Sequence, residues 1–130
     1  MIQSIDHIVL TVADIKRSIQ FYCDILGMQL ERFRPPDSNS ERIALKFGNQ
    51  KINLHSVDAP YTPHAQKPTP GAIDLCFLSD HPLTEWERVF QSAGVTIEQG
   101  PIRRTGATGP LRSLYVRDPD NNLIEIANSK

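Results

Sequence analysis

The sequence predicts an α+β fold made of two βαβββ modules whose strands form a cupped, mixed sheet. Three observations predict it. The order strand, helix, three strands runs twice along the 130 residues. Each helix ends on a glycine, Gly27 or Gly94, and the offset between them, 94 − 27 = 67, carries His7 onto Asp74 and Leu10 onto Phe77. The last strands then align Asn53 with Glu125, where 125 − 53 = 72, and the five added residues are assigned to a glycine-bearing loop in the second half. The modules are residues 1–57 and 72–130, joined by a connector over 58–71, within a single domain over 1–130.

Taken in order, residues 4–12 are rich in β-branched side chains and read as a strand. Asp14 caps a helix running to about Leu26, with Ile15, Ile19, Tyr22 and Leu26 at helical spacing and Gly27 as its stop. A strand near Met28–Phe33 leads to a loop holding Pro35 and Pro36. Arg42–Phe47 alternates cleanly, Gly48-Asn49 is a hairpin signal, and Lys51–Val57 returns. Pro60, Pro63, Pro68 and Pro70 exclude regular structure from the connector. The second half repeats the pattern. Ala72–Ser79 is a strand, and a helix follows from near Pro82 with Leu83, Trp86, Phe90 and Ala93 on its stripe. A strand near Val95–Glu98, a loop over Gly100–Pro110 and a strand over Leu111–Arg117 come next. Asp118-Pro119-Asp120-Asn121-Asn122 is a firm turn that sets the register of the last strand, Leu123–Ala127.

Composition narrows the function. A net charge of −1 argues against nucleic acid or an anionic membrane as partner. No apolar run approaches the roughly 18–20 residues of a membrane span, and the N-terminus has no signal-peptide pattern. Cys23 and Cys76 have neither metal-ligand spacing nor the pattern of a disulfide framework, so a reducing cytoplasm is the expected setting. Cys76 is expected to be a small buried hydrophobe rather than a nucleophile.

One helix per module covers one face of its strands, and the apolar face (Ile8, Leu10, Ile43, Leu45, Ile52, Leu54) belongs beneath it. The uncovered face carries the chemistry. It presents His7, Lys46, Asn53 and His55 in the first module, and Asp74, Cys76, Ser113, Tyr115, Arg117 and Glu125 in the second. Facing each other, within one chain or across a dimer, two such surfaces make a polar cup in which His7, Asp74 and Glu125 are expected to converge. A carboxylate such as Glu125 on an interior strand face needs a partner, and a metal ion is one that suffices. Imidazole and carboxylate ligands suit Zn, Ni, Mn, Fe or Co. His55 is placed to join the ligands, orient a water or act as general base. Arg103 and Arg104, among Gly100, Gly106 and Gly109, read as a mobile basic lid over an anionic substrate.

Three stretches carry a resemblance: Ile5–Val12, Ser18–Met28 and Asp118–Glu125. Together they resemble the vicinal oxygen chelate superfamily, which includes glyoxalase I, fosfomycin-resistance transferases, extradiol dioxygenases and bleomycin-binding proteins. Lys51–His55, Pro68–Gly71 and Gly100 through Pro119 are most similar to its glyoxalase-domain-containing protein 5 group and to related bacterial virulence-associated proteins. The resemblance implies a divalent metal held by His7 and Glu125, and one or both of Asp74 and His55 are expected to complete the ligand set. Glu125 and His55 are the expected catalytic groups, and Asn53, Tyr115, Arg117, Arg103 and Arg104 the expected substrate contacts. Asn53 stands where glyoxalase I carries a glutamate, and Asp74 where relatives often carry a histidine. An isomerase, lyase or transferase acting on a small oxygen-chelating anion is therefore expected, rather than glyoxalase I itself. The alternatives are a metal-free sequestering protein and an extradiol-type dioxygenase. A homodimer is expected, with a small-molecule substrate and neither nucleic acid nor membrane as partner.

Overall fold

The computed structural model describes residues 1–36 and 38–129. In chain order these form β1 (His7–Val12), α1 (Ile15–Ile19), a π-helical segment (Gln20–Ile25), β2 (Gln29–Phe33), β3 (Arg42–Phe47) and β4 (Gln50–Ser56). Then come β5 (Asp74–Leu78), α2 (Leu83–Ala93), β6 (Gln99–Thr105), β7 (Pro110–Arg117) and β8 (Leu123–Ser129). The chain divides into two compact units, Met1–Pro70 and Gly71–Lys130. Among the described residues, no helix is long and apolar enough to cross a membrane.

Each unit holds a four-stranded mixed sheet, in the orders β1-β4-β3-β2 and β5-β8-β7-β6. The outer strand β1 runs parallel to β4, as β5 does to β8, and the other neighbours are antiparallel. The duplication therefore extends to topology. It extends to register as well: Val9 lies opposite Asn53 in the first sheet, and Cys76 opposite Glu125 in the second. With His7 equivalent to Asp74, that pairing makes Asn53 the counterpart of Glu125, as the sequence alignment required.

The core of the first unit gathers Leu10, Val12, Leu45, Ile52 and Leu54 with Phe21 and Tyr22 of the helical segment. The second gathers Leu83 and Phe90 of α2 with Leu114, Val116, Ile124 and Ile126. Each helix packs on the last strand of its own sheet, α1 on β4 and α2 on β8. The caps follow the sequence. The Asp14 side chain accepts from the Arg17 amide at 3.1 Å, and Gly94 ends α2 in the left-handed conformation that glycine adopts without strain.

Three expectations need correction. The first helix is not α-helical throughout; at its end the Leu26 amide reaches the Phe21 carbonyl, five residues back. That wider turn accommodates two adjacent large rings, Phe21 and Tyr22, both buried and edge-to-face at 5.0 Å. The sixth strand is Gln99–Thr105 rather than Val95–Glu98. Gly100, at φ +110°, forms a bulge where the register passes from Gln99–Tyr115 to Ile102–Ser113, so a Gly-Pro pair lies inside a paired strand. The added residues of the second half are also not all in one loop. Ala44 opposite Asn53 corresponds to Tyr115 opposite Glu125, which places one of them in the turn between β7 and β8.

That turn is fastened from inside. Asp118, 4% exposed, accepts from the amides of Asp120 and Asn122 and from the Asn122 side chain at 2.8 Å. The Asn122 carboxamide oxygen in turn accepts from the Ile73 amide at 3.0 Å, which ties the entry of β5 to the entry of β8.

Candidate functional site

Glu125 is the centre of the uncovered face in the second unit. Its strand alternates, with Ile124 and Ile126 buried in the core and half-buried Glu125 turned the other way. One carboxylate oxygen accepts from the Ser113 hydroxyl at 2.5 Å. Cys76, its neighbour on β5, places a thiol against the same carboxylate and hydrogen-bonds to it. Burial first, then the negative charge of Glu125 and that hydrogen bond, push the thiol up to about 11. Cys76 is exposed as a residue, contrary to the buried position expected for it, and its thiol is a proton donor to Glu125 rather than a nucleophile. The site glutamate is thus an oriented acceptor facing the Ser113 hydroxyl and the Cys76 thiol.

Tyr115 lies opposite Glu125 on β7, and its hydroxyl accepts from Arg104 Nε at 2.9 Å. Arg103 and Arg104 stand in β6, paired with Arg112 and Leu111, so the mobile lid expected over Gly100–Pro110 is a β-hairpin. Arg117 is committed elsewhere. Its Nε and a terminal nitrogen bind both oxygens of Glu98 at 2.9 and 3.0 Å. This hydrogen-bonded pairing lowers the Glu98 pKa and raises that of Arg117. Asp74 is exposed at the start of β5, and its charge is felt by Arg117.

In the first unit His7, Val9 and Thr11 share the uncovered face with Lys51, Asn53 and His55, and with Arg42, Ala44 and Lys46. His7 is exposed, and its Nδ1 lies 2.8 Å from the Asp6 carboxylate. A carboxylate only accepts, so Nδ1 is the donor in that contact. His55 is 6% exposed, with its ring edge-on to Tyr61 at 4.9 Å. Burial first, then the positive charge of Arg42 and the nearby His64, lower its pKa, so its imidazole is neutral at physiological pH. Arg42 lies with its guanidinium 4.0 Å above the Tyr61 ring.

Arg42 and Tyr61 are the residues that sequence reasoning missed. Arg42 opens a cleanly alternating strand and shares a face with Asn53, a parity visible in the sequence. Tyr61 sits in the proline-rich stretch, whose path no periodicity encodes.

The individual donors fit a metal: a histidine whose second nitrogen is held by a carboxylate, and a carboxylate held by two donors, are the arrangements that metal ligands use. Among the described residues, however, no group of three or more His, Cys, Asp and Glu side chains is placed to hold an ion.

Comparison with known proteins gives a consistent result. Residues 4–126 match the family described as the glyoxalase/bleomycin resistance protein/dioxygenase superfamily. Virulence protein STM3117 of Salmonella typhimurium is 47% identical over 127 residues, covering 98% of this chain and 85% of that protein. Glyoxalase domain-containing protein RDO1 of Mycosarcoma maydis is 43% identical, covering 98% and 69%. Lactoylglutathione lyase of Salmonella typhimurium is more distant, at 28% identity over 95% of this chain and 91% of the enzyme. Among solved structures, the integron cassette protein VCH_CASS1 from V. cholerae superposes with a TM-score of 0.92 at 45% identity, covering 100% of this chain and 98% of its own.

Proposed function

Since the chain belongs to the glyoxalase/bleomycin resistance protein/dioxygenase superfamily, we propose that it is a metal-dependent enzyme acting on a small, oxygen-chelating anion by isomerase, lyase or transferase chemistry. The observation that carries this reading is the setting of Glu125. A single carboxylate in the run Leu123–Ala127 is aimed by Ser113 and Cys76. The Asp6 carboxylate set against His7 Nδ1 supports the same reading.

His7 and Glu125 are the proposed ligands of a divalent ion, Zn, Ni, Mn, Fe or Co, with Asp74 and His55 as further candidates. A bound ion would supply Lewis-acid stabilisation of charge developing on a substrate oxygen. His55 is the proposed general base, because its imidazole is neutral and can accept a proton near pH 7. Asn53, Tyr115 and Arg104 are proposed to position the substrate, with Arg103 and Arg117 at the rim. Asn53 in place of a glutamate separates this chemistry from that of glyoxalase I, in keeping with the greater distance of the lactoylglutathione lyase. The two modules are proposed to work as one domain, in a cytoplasmic homodimer.

Metal analysis of protein purified without chelator tests the proposal. Near-stoichiometric metal is expected, and His7→Ala and Glu125→Ala are each expected to abolish it. Wild-type protein that arrives free of metal and takes up none on titration with the five ions would end this reading. Asn53, together with the lack of a three-ligand group among the described residues, favours a second reading, a metal-free protein that sequesters a small molecule. Ligand binding that survives chelator, without turnover, would select it. Iron-dependent ring cleavage of a catechol would instead assign an extradiol dioxygenase.

A further inference from the structure

The duplicated sheets allow one unit to be read against the other. In the second, Tyr115 lies opposite Glu125, and Ser113, two residues before Tyr115, closes diagonally on the Glu125 carboxylate. In the first, Ala44 lies opposite Asn53, and Arg42 stands two residues before Ala44. Arg42 and Asn53 are therefore the counterparts of Ser113 and Glu125, with α-carbons at a diagonal spacing of about 7–8 Å. Here the pair does not close. Arg42 Nε and Asn53 Oδ1 are both buried, and neither has a hydrogen-bond partner among the described residues. One is a donor and the other an acceptor. The Arg42 guanidinium lies instead 4.0 Å from the centroid of the Tyr61 ring.

Buried polar atoms are nearly always paired, so two of opposite kind on adjacent strands mark a place prepared for a complementary group. An oxyanion accepts from Arg42 Nε–H, and an adjacent hydroxyl donates to Asn53 Oδ1. Lys46 and Lys51 also lie on this face, the first 3.8 Å from the Glu31 carboxylate that stands opposite Ala44 and the second 4.3 Å from the Phe33 ring centroid. His55, beside Arg42, faces the same space.

We infer that Arg42, Asn53 and His55 form a recognition subsite for a small acid bearing a hydroxyl on the carbon next to its anionic group, an α-hydroxycarboxylate or α-hydroxyphosphonate. Arg42 reads the acid, Asn53 reads the hydroxyl, and Tyr61 is a positioning residue that holds the guanidinium. The inference deepens the proposed function and rests on it only for the use of this face in ligand binding.

The test is an NMR titration of the chelator-treated full chain with glycolate against acetate, and with hydroxymethylphosphonate against methylphosphonate. At least one hydroxylated probe is expected to bind at least tenfold more tightly than its deoxy analogue, and the pair with the larger ratio identifies the acid. Arg42→Gln is expected to weaken binding of both members of that pair at least tenfold. Asn53→Leu is expected to abolish the preference for the hydroxyl while leaving the deoxy analogue within twofold. Equal affinities within both pairs for the wild-type chain, or undiminished affinity in a folded Arg42→Gln protein, would overturn the inference. Should the variants fail to fold, the wild-type ratios alone decide. With metal removed from the comparison, failure here leaves the metal-dependent reading standing, and stoichiometric metal without hydroxy-acid preference separates the two.

Discussion

The thiol of Cys76 offers a direct measure of the environment around Glu125. Its pKa of about 11, against an ordinary 9.0, leaves roughly one thiolate in a thousand at pH 8 where a free cysteine has about one in ten. The loss of thiolate is about a hundredfold. A more basic thiolate is intrinsically more nucleophilic, by about eightfold over that interval at a Brønsted slope of 0.4–0.5. The net expectation is reaction with a neutral disulfide, such as 4,4′-dithiodipyridine, about tenfold more slowly than a free cysteine. The assay follows release of the chromophore in a Cys23→Ser background, which removes the other thiol, from pH 7 to 9. The rate should climb log-linearly without flattening, whereas a thiol of ordinary pKa begins to level near pH 9. Glu125→Gln should raise the rate at pH 8 by removing the charge and the hydrogen bond while leaving the burial. A wild-type rate at pH 8 equal to that of free cysteine would refute the contact between thiol and carboxylate, and with it the account of how Glu125 is held.

Other expectations follow from the same contacts. Asn122→Ala deletes a hydrogen bond to the buried Asp118 and another from the part-buried Ile73 amide, leaving both partners without it. A loss of about 2–4 kcal/mol is expected in urea denaturation, and a loss below about 1 kcal/mol would show that the turn is held by something else. Gly100→Ala sets a methyl group against the Ser113 carbonyl at a positive φ and should cost at least about 1–3 kcal/mol, with the bulge signals of β6 shifting in NMR spectra. His55 titrates below its unfolded value, so its contribution to stability is present above about pH 6.5 and is lost as the pH falls through the folded pKa. Imidazole NMR titration should show His55 titrating below the value of an unfolded histidine, and Arg42→Gln should move it upward. Unchanged titration in that variant would remove Arg42 from the neighbourhood of His55.

What could be read from the sequence divides along physical lines. Periodicity and punctuation reported what neighbours a few residues apart decide: the strands, the two helix ends at Gly27 and Gly94, and the parity that sets Asn53 and Glu125 at equivalent positions. They misread Gly100-Pro101 as the start of a loop, because a bulge uses the same residues as a turn and only the partner strand tells them apart. They passed over the π-helical segment because Phe21 and Tyr22 fit either helical period. The site was legible as a set of residues sharing a face. The contacts among them were not. The bonding of Ser113 and Cys76 to Glu125, the pairing of Arg117 with Glu98, and the stacking of Arg42 on Tyr61 all depend on side-chain reach across strands or along an irregular chain.

The parallel pairing of β1 with β4, and of β5 with β8, has a consequence for how the chain emerges during synthesis. In each half the opening strand has no sheet neighbour until the fourth has been made, and loop closure of that length is a slow entropic step. Everything between can zip locally, hairpin by hairpin, while β1 waits. A ribosome-bound chain should therefore gain protease resistance abruptly once Gln50–Ser56 clears the exit tunnel, and again, independently, after Leu123–Ser129 does.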